Sequence, residues 1–178
     1  MLKIVDDLWG RVLAVLMGIA AVYVALIMIA IIYASAFRFF GIAYSQYTIP
    51  FIEYGFLFIL FLGSPWLVRN RGHVYIELLT AALNDRGRDI LSRIICFLAG
   101  LVCLIWAWYT WLLFLERYDD MMAYDELRAQ YDIPLWVSTL PFPIGFFLMM
   151  IEFFRFTVMS TVSYTHLRAH ETDSYLVC

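Results

Sequence analysis

The chain has 178 residues, 64% of them apolar and only 15% charged, with a mean hydropathy of +0.81 and a net charge of −3. Water-soluble domains lie nearer half apolar, so a soluble globular fold is excluded, and the length suits one membrane domain rather than several. With no basic stripe and no zinc-ligand spacing, nucleic-acid binding is excluded too.

The charges lie between long uncharged runs, which predicts an all-α integral membrane protein of four spans. The N-terminal segment carries Asp6 and Asp7, and the apolar run behind it is too long for a signal core. It is therefore expected to stay as an anchor. The first span is predicted over 12–37, ending before Arg38. The second is predicted over 49–68, with Pro50 in its first turn, where a missing N–H costs nothing. Gly63-Ser64-Pro65 is a candidate kink near its far end.

Between spans two and three, residues 73–84 place Val74, Leu78, Ala81 and Ala82 at helical spacing, with Leu79 and Leu83 beside them. This predicts a short amphipathic helix in the membrane interface. The third span is predicted over 94–115. Cys96 and Cys103 lie seven apart on one face of it, as small packing residues rather than a disulfide. The connection 116–132 carries six acids and two arginines. The fourth span is predicted over 133–158, opening at Ile133-Pro134. Residues 1–162 thus form the membrane domain. The polar, aperiodic stretch 163–178 is expected to be non-native, resembling read-through into adapter DNA.

Nine of the twelve Lys and Arg residues fall on the side that holds the N-terminus, which predicts cytoplasmic termini at both ends. Trp9 and Trp66 then mark inner span ends, and Trp111 and Trp136 outer ones.

An ionisable group inside a span is a candidate functional residue, because it costs a few kcal/mol at the bilayer centre. Glu53 is the foremost, about one turn inside span two, as either a coupling carboxylate or an interface residue. Glu152 and Arg155 are three apart on one helix face and are expected to pair, with Arg155 snorkelling to the cytoplasmic headgroups. Arg69 reads as a topology signal that touches anionic lipid. Arg71, His73 and Glu77 are open between the same topology role and a specific inter-subunit or lipid contact. The Trp106, Trp108, Tyr109 and Trp111 group is expected to face lipid and to pack helices. Small residues such as Gly18 and Ala21, or Ala99 and Gly100, are expected at close helix contacts. All three histidines lie outside the spans, so a bis-histidine haem anchor is excluded. No phosphate-binding glycine loop and no catalytic triad occurs. The reading is a non-enzyme with no cofactor and no metal.

Three segments carry a family likeness. Phe61-Leu62-Gly63-Ser64 leads into Arg69-Asn70-Arg71-Gly72-His73-Val74-Tyr75-Ile76-Glu77-Leu78-Leu79. Ile133-Pro134-Leu135-Trp136 opens span four, and Pro143-Ile144-Gly145-Phe146 lies inside it. Together they resemble the small membrane subunit, the Q component, of tripartite ATP-independent periplasmic (TRAP) transporters, over roughly residues 5–158. Glu77 stands where Asp is commoner in that family, and the acidic 116–132 connection is unusual for it. The resemblance implies a bacterial inner-membrane protein and a non-catalytic scaffold role. Its partners would be a large multi-span permease subunit, a periplasmic substrate-binding protein and membrane lipids, in sodium symport of organic acids. The acidic outer connection, through Asp119, Asp120 and Asp125, is a candidate contact for the binding protein. The alternative is a self-contained homo-oligomeric transporter that uses Glu53 for coupling.

Overall fold

A computed structural model describes residues 2–70, 85–120 and 133–159, and every regular element among them is a helix. These are α1 (Leu2–Phe39), α2 (Thr48–Arg69), α3 (Asp85–Asp119), α4 (Leu135–Thr139) and α5 (Pro141–Met159). Four stretches are long and apolar enough to cross a membrane: Asp6–Phe39, Thr48–Arg69, Ile90–Asp119 and Leu135–Val158. The chain is an all-α membrane protein. The expected interfacial helix at 73–84, the tail at 163–178 and most of the acidic connection lie outside the described residues.

The helices run past the uncharged segments that predicted them. α1 has 38 residues, which at 1.5 Å per residue is about 57 Å, well beyond a hydrocarbon core of ~30 Å. A charge ends the crossing of the hydrocarbon but not the backbone hydrogen bonding. α1 stops instead at Gly41, whose φ of +70° suits a residue without Cβ. There Ile42 N–H bonds to Phe37 O (3.0 Å) and Gly41 N–H to Arg38 O (3.2 Å), the paired closure of a Schellman motif. The expected single fourth span is divided. Pro141 has no N–H to continue the ladder, so α4 closes with Leu140 N–H on Trp136 O and α5 begins anew.

Packing makes a row, not a closed bundle. α1 lies along α2, α2 along α5, and α5 along α3, while the two outer helices scarcely meet. Each seam is built on small residues, as expected where lipid supplies no hydrophobic drive between helices. On α3 the buried positions are Gly100, Cys103, Ala107 and Thr110, a narrow stripe at helical spacing, with Phe154 of α5 packed over Gly100. On α1 the buried positions Leu13, Ala20 and Ile27 recur every seven residues. They meet α2 where Gly55 lies under Tyr23 and Ile27, and Gly63 under Met17 and Ala20. Gly18 and Ala21 were expected in such a contact. Both face outward, and a Cβ on Gly18 would meet nothing within 4 Å. Periodicity, not smallness alone, selects the buried face.

The α2–α5 seam is fitted against backbone. Pro65 sits buried inside α2 and cannot donate to the Phe61 carbonyl four residues back. Gly145 of α5 lies against that carbonyl. A Cβ at Gly145 would stand 2.8 Å from Phe61 O and 2.6 Å from Phe61 Cδ1. The Phe61 ring packs edge-on against Phe142 and Phe146, and Met149, Cys103 and Val68 complete this core.

Candidate functional site: a buried charge cluster at one end of the row

α1 begins where α2 and α5 end, so the first turns of α1 and the last turns of α2 and α5 share one end of the row. Four charged side chains meet there. Asp6 falls seven residues before Leu13, on the stripe that α1 turns to α2. Arg69 is the last residue of α2, and its guanidinium lies against Gly10 of α1, where a Cβ would come within 3.0 Å of Nη2. Glu152 and Arg155 follow on successive turns of α5.

Glu152 is the centre. Its side chain is 0% exposed. Oε1 accepts from Trp9 Nε1 at 2.7 Å and from Arg69 Nη1 at 3.1 Å, and Oε2 lies 3.4 Å from Arg155 Nε as an i,i+3 ion pair. Arg69 Nη2 donates to both the Asp6 carboxylate (3.1 Å) and the Asp6 carbonyl (3.0 Å). Arg155 Nη1 donates to Asp6 Oδ1 at 2.7 Å. Two carboxylates and two guanidiniums cancel, and that cancellation lets a carboxylate be buried at all. The guanidinium suits the task because its planar fork bonds two acids at once.

Arg69 was expected to touch lipid headgroups and Arg155 to snorkel toward them. Both instead turn inward, at 16% and 23% side-chain exposure. Side chains on a helix lean toward its N-terminus, and both arginines sit at C-terminal ends, so leaning carries them back into the row, toward Asp6 and Glu152. The remaining expected residues lie elsewhere. Glu53 is exposed on an outward face of α2 with Phe56 and Leu60. Trp136 lies in α4, with its ring 6.0 Å from that of Tyr118 at the end of α3. Arg71, His73 and Glu77 lie outside the described residues. Asp6, Trp9 and Gly10 were not foreseen as a site; the available signal was the seven-residue spacing of Asp6 with Leu13, Ala20 and Ile27.

The members of the cluster bond one another and their charges cancel, while Glu152 Oε2 and Arg155 Nε, both buried and 3.4 Å apart, are paired by charge without a hydrogen bond. Among the described residues no group of His, Cys, Asp or Glu is arranged to hold a metal. An open groove of about 360 Å³ runs between α3 and α5, lined by Leu104, Ala107, Trp108, Trp111, Ile144 and Phe147 among others. That lining carries no cationic side chain to pair with an anionic substrate. Residues 27–161 match the family model described as tripartite ATP-independent periplasmic transporters, DctQ component. The chain belongs to that family. No curated protein and no solved structure matches it. This DctQ chain is therefore the small permease component of a TRAP system, as its motifs implied, and a multi-pass component of a transporter. The match takes in α2, α3 and α5 with Arg69, Glu152 and Arg155, whereas Asp6 and Trp9 precede it.

Proposed function

We propose that this DctQ chain is a non-catalytic scaffold partner of a large multi-span permease subunit. The transport it serves is sodium-coupled uptake of organic acids delivered by a periplasmic binding protein. It sits in the bacterial inner membrane with both termini cytoplasmic, which puts the charge cluster at the cytoplasmic end. One observation carries the reading: an open row of four apolar helices in which the fully buried Glu152 is neutralised by neighbours from the same charge cluster. Such a row presents two broad faces to its surroundings and, among the described residues, no lined polar path for an ion. It suits a wedge that stays still while a neighbour moves. Membrane lipid covers what the partner does not. Asp119 and Asp120 are exposed at the far end of α3, where they are candidates for contact with the binding protein, along with Asp125.

The homo-oligomeric alternative needs Glu53 to face an enclosed pathway. Its place on an outward face of α2 means that only a neighbouring copy could enclose it. The test is to tag the N-terminus, express the chain with its genomic neighbours and purify in mild detergent. Recovery of a large multi-span protein at one to one supports the subunit reading. Recovery of this chain alone as a defined oligomer overturns it and returns attention to Glu53.

A further inference from the structure

We infer that the Asp6–Arg69–Glu152–Arg155 cluster sets the vertical register of α1 against α2 and α5, acting as a specificity device rather than as a source of net stability. Apart from this end, the contact faces leave register weakly determined. The buried face of α1 repeats every seven residues through Leu13, Ala20 and Ile27. The α1 sequence from 12 to 32 is almost wholly Ala, Val, Leu, Ile and Met. A slide of α1 by one turn, about 5.4 Å, or by a full heptad sets aliphatic residues against aliphatic residues at every buried position of this face and displaces one aromatic contact, Tyr23 on Phe51 and Phe58. In lipid such surfaces attract one another little more than they attract acyl chains. Away from the cluster the slide is resisted by Tyr23, whose ring stacks on Phe51 and Phe58 of α2 and covers Gly55, and by Ile27 and Met17 over Gly55 and Gly63; all three are side chains that can change rotamer, and none is charged.

The cluster tolerates no slide. Its contacts span 2.7–3.4 Å and converge from three helices on one fully buried carboxylate. Arg69 is held twice by Asp6, once through the side chain and once through the backbone carbonyl. Displacement of α1 by one turn would break both of those bonds, the Trp9 bond and the Asp6–Arg155 pair together. Glu152 would keep only its two guanidinium neighbours, and Asp6 would lose both of its own. Slipped arrangements are thereby disfavoured far more than the correct one is favoured, and register fixing is the best-attested use of buried ionic groups. The inference stands on contacts within this chain, so its failure would leave the subunit reading untouched.

Cysteine pairs test it, with the three native cysteines replaced. A Cβ on Gly63 lies 3.9 Å from Ala20 Cβ, so Ala20→Cys with Gly63→Cys reports the correct register. Leu13→Cys or Ile27→Cys, each with Gly63→Cys, reports slippage by a heptad. With the native cluster, only the Ala20 pair should cross-link in membranes. In the charge-free variant (Asp6→Asn, Arg69→Met, Glu152→Gln, Arg155→Met) the slipped pairs should rise at least tenfold relative to it. Complete sign inversion (Asp6→Arg, Arg69→Glu, Glu152→Arg, Arg155→Asp) should restore the single register. If the charge-free chain keeps only the Ala20 pair, the inference is overturned. Should that chain fail to accumulate, Arg69→Met and Glu152→Gln are read singly by the same cross-links. Native register in both would likewise overturn it.

Discussion

Removing Arg69 should be the most damaging single change at the charged end. The Glu152 carboxylate is fully buried and takes one of its hydrogen bonds from Arg69 Nη1; Asp6 loses two bonds at the same time. Breaking one side of a buried ion pair costs about 3–5 kcal/mol. Trp9 and Arg155 remain on Glu152, which places the expected loss for Arg69→Met near the lower end, about 3 kcal/mol. For a chain of this length that corresponds to roughly 6–12 °C in melting temperature, taking the scale established for soluble proteins. Arg38→Ala, at an exposed position, should stay within about 0.5 kcal/mol. The double variant Arg69→Met/Glu152→Leu should recover much of the loss, because an apolar pair strands no charge. The assay is thermal unfolding in detergent, followed by tryptophan fluorescence and read as a double-mutant cycle. A loss under about 1 kcal/mol for Arg69→Met, or strict additivity in the cycle, would refute the claim that the two side chains act as one buried unit.

Two glycines should behave in opposite ways. Gly145→Ala drives a methyl group into the Phe61 backbone and ring and should lower stability by about 1–3 kcal/mol, whereas Gly18→Ala meets open space and should leave the melting temperature within about 2 °C. Brominated lipids should quench a chain whose single tryptophan is Trp108, 62% exposed, several-fold more strongly than one that keeps only Trp9, whose indole is tied to Glu152; equal quenching would contradict the row as described. Cys103 lies on the α3 seam and Cys96 is only partly covered, so a membrane-permeant maleimide should label Cys96 at least tenfold faster, as measured by mass shift in single-cysteine variants.

Much of the architecture was legible locally. The uncharged runs overlap the four helical stretches long and apolar enough to cross a membrane, because a helix in lipid must satisfy its own backbone and must exclude charge over about 20 residues. The family likeness rested on short motifs, and Gly63, Gly145 and Trp136 within them occupy a helix seam, a carbonyl contact and an interhelical ring pair. The candidate site was only half legible. Glu152 and Arg155 are close in sequence, so their pairing could be foreseen. Arg69 looked like a topology signal because its partners lie 63 and 83 positions away, and Asp6 entered only as a charge that speaks against a signal peptide.

The sequence by itself determined the solvent, the number of crossings and the family, since hydropathy and motif spacing are properties of the chain read in order. Tertiary structure alone decided that the helices stand in an open row, that Gly18 faces outward while Gly145 touches a backbone, and that two arginines turn inward. The physical reason is the same in each case. Apolar helices in lipid gain little from one partner over another. Their arrangement is therefore selected by close fits and charge pairs between distant segments, which no local window of sequence contains.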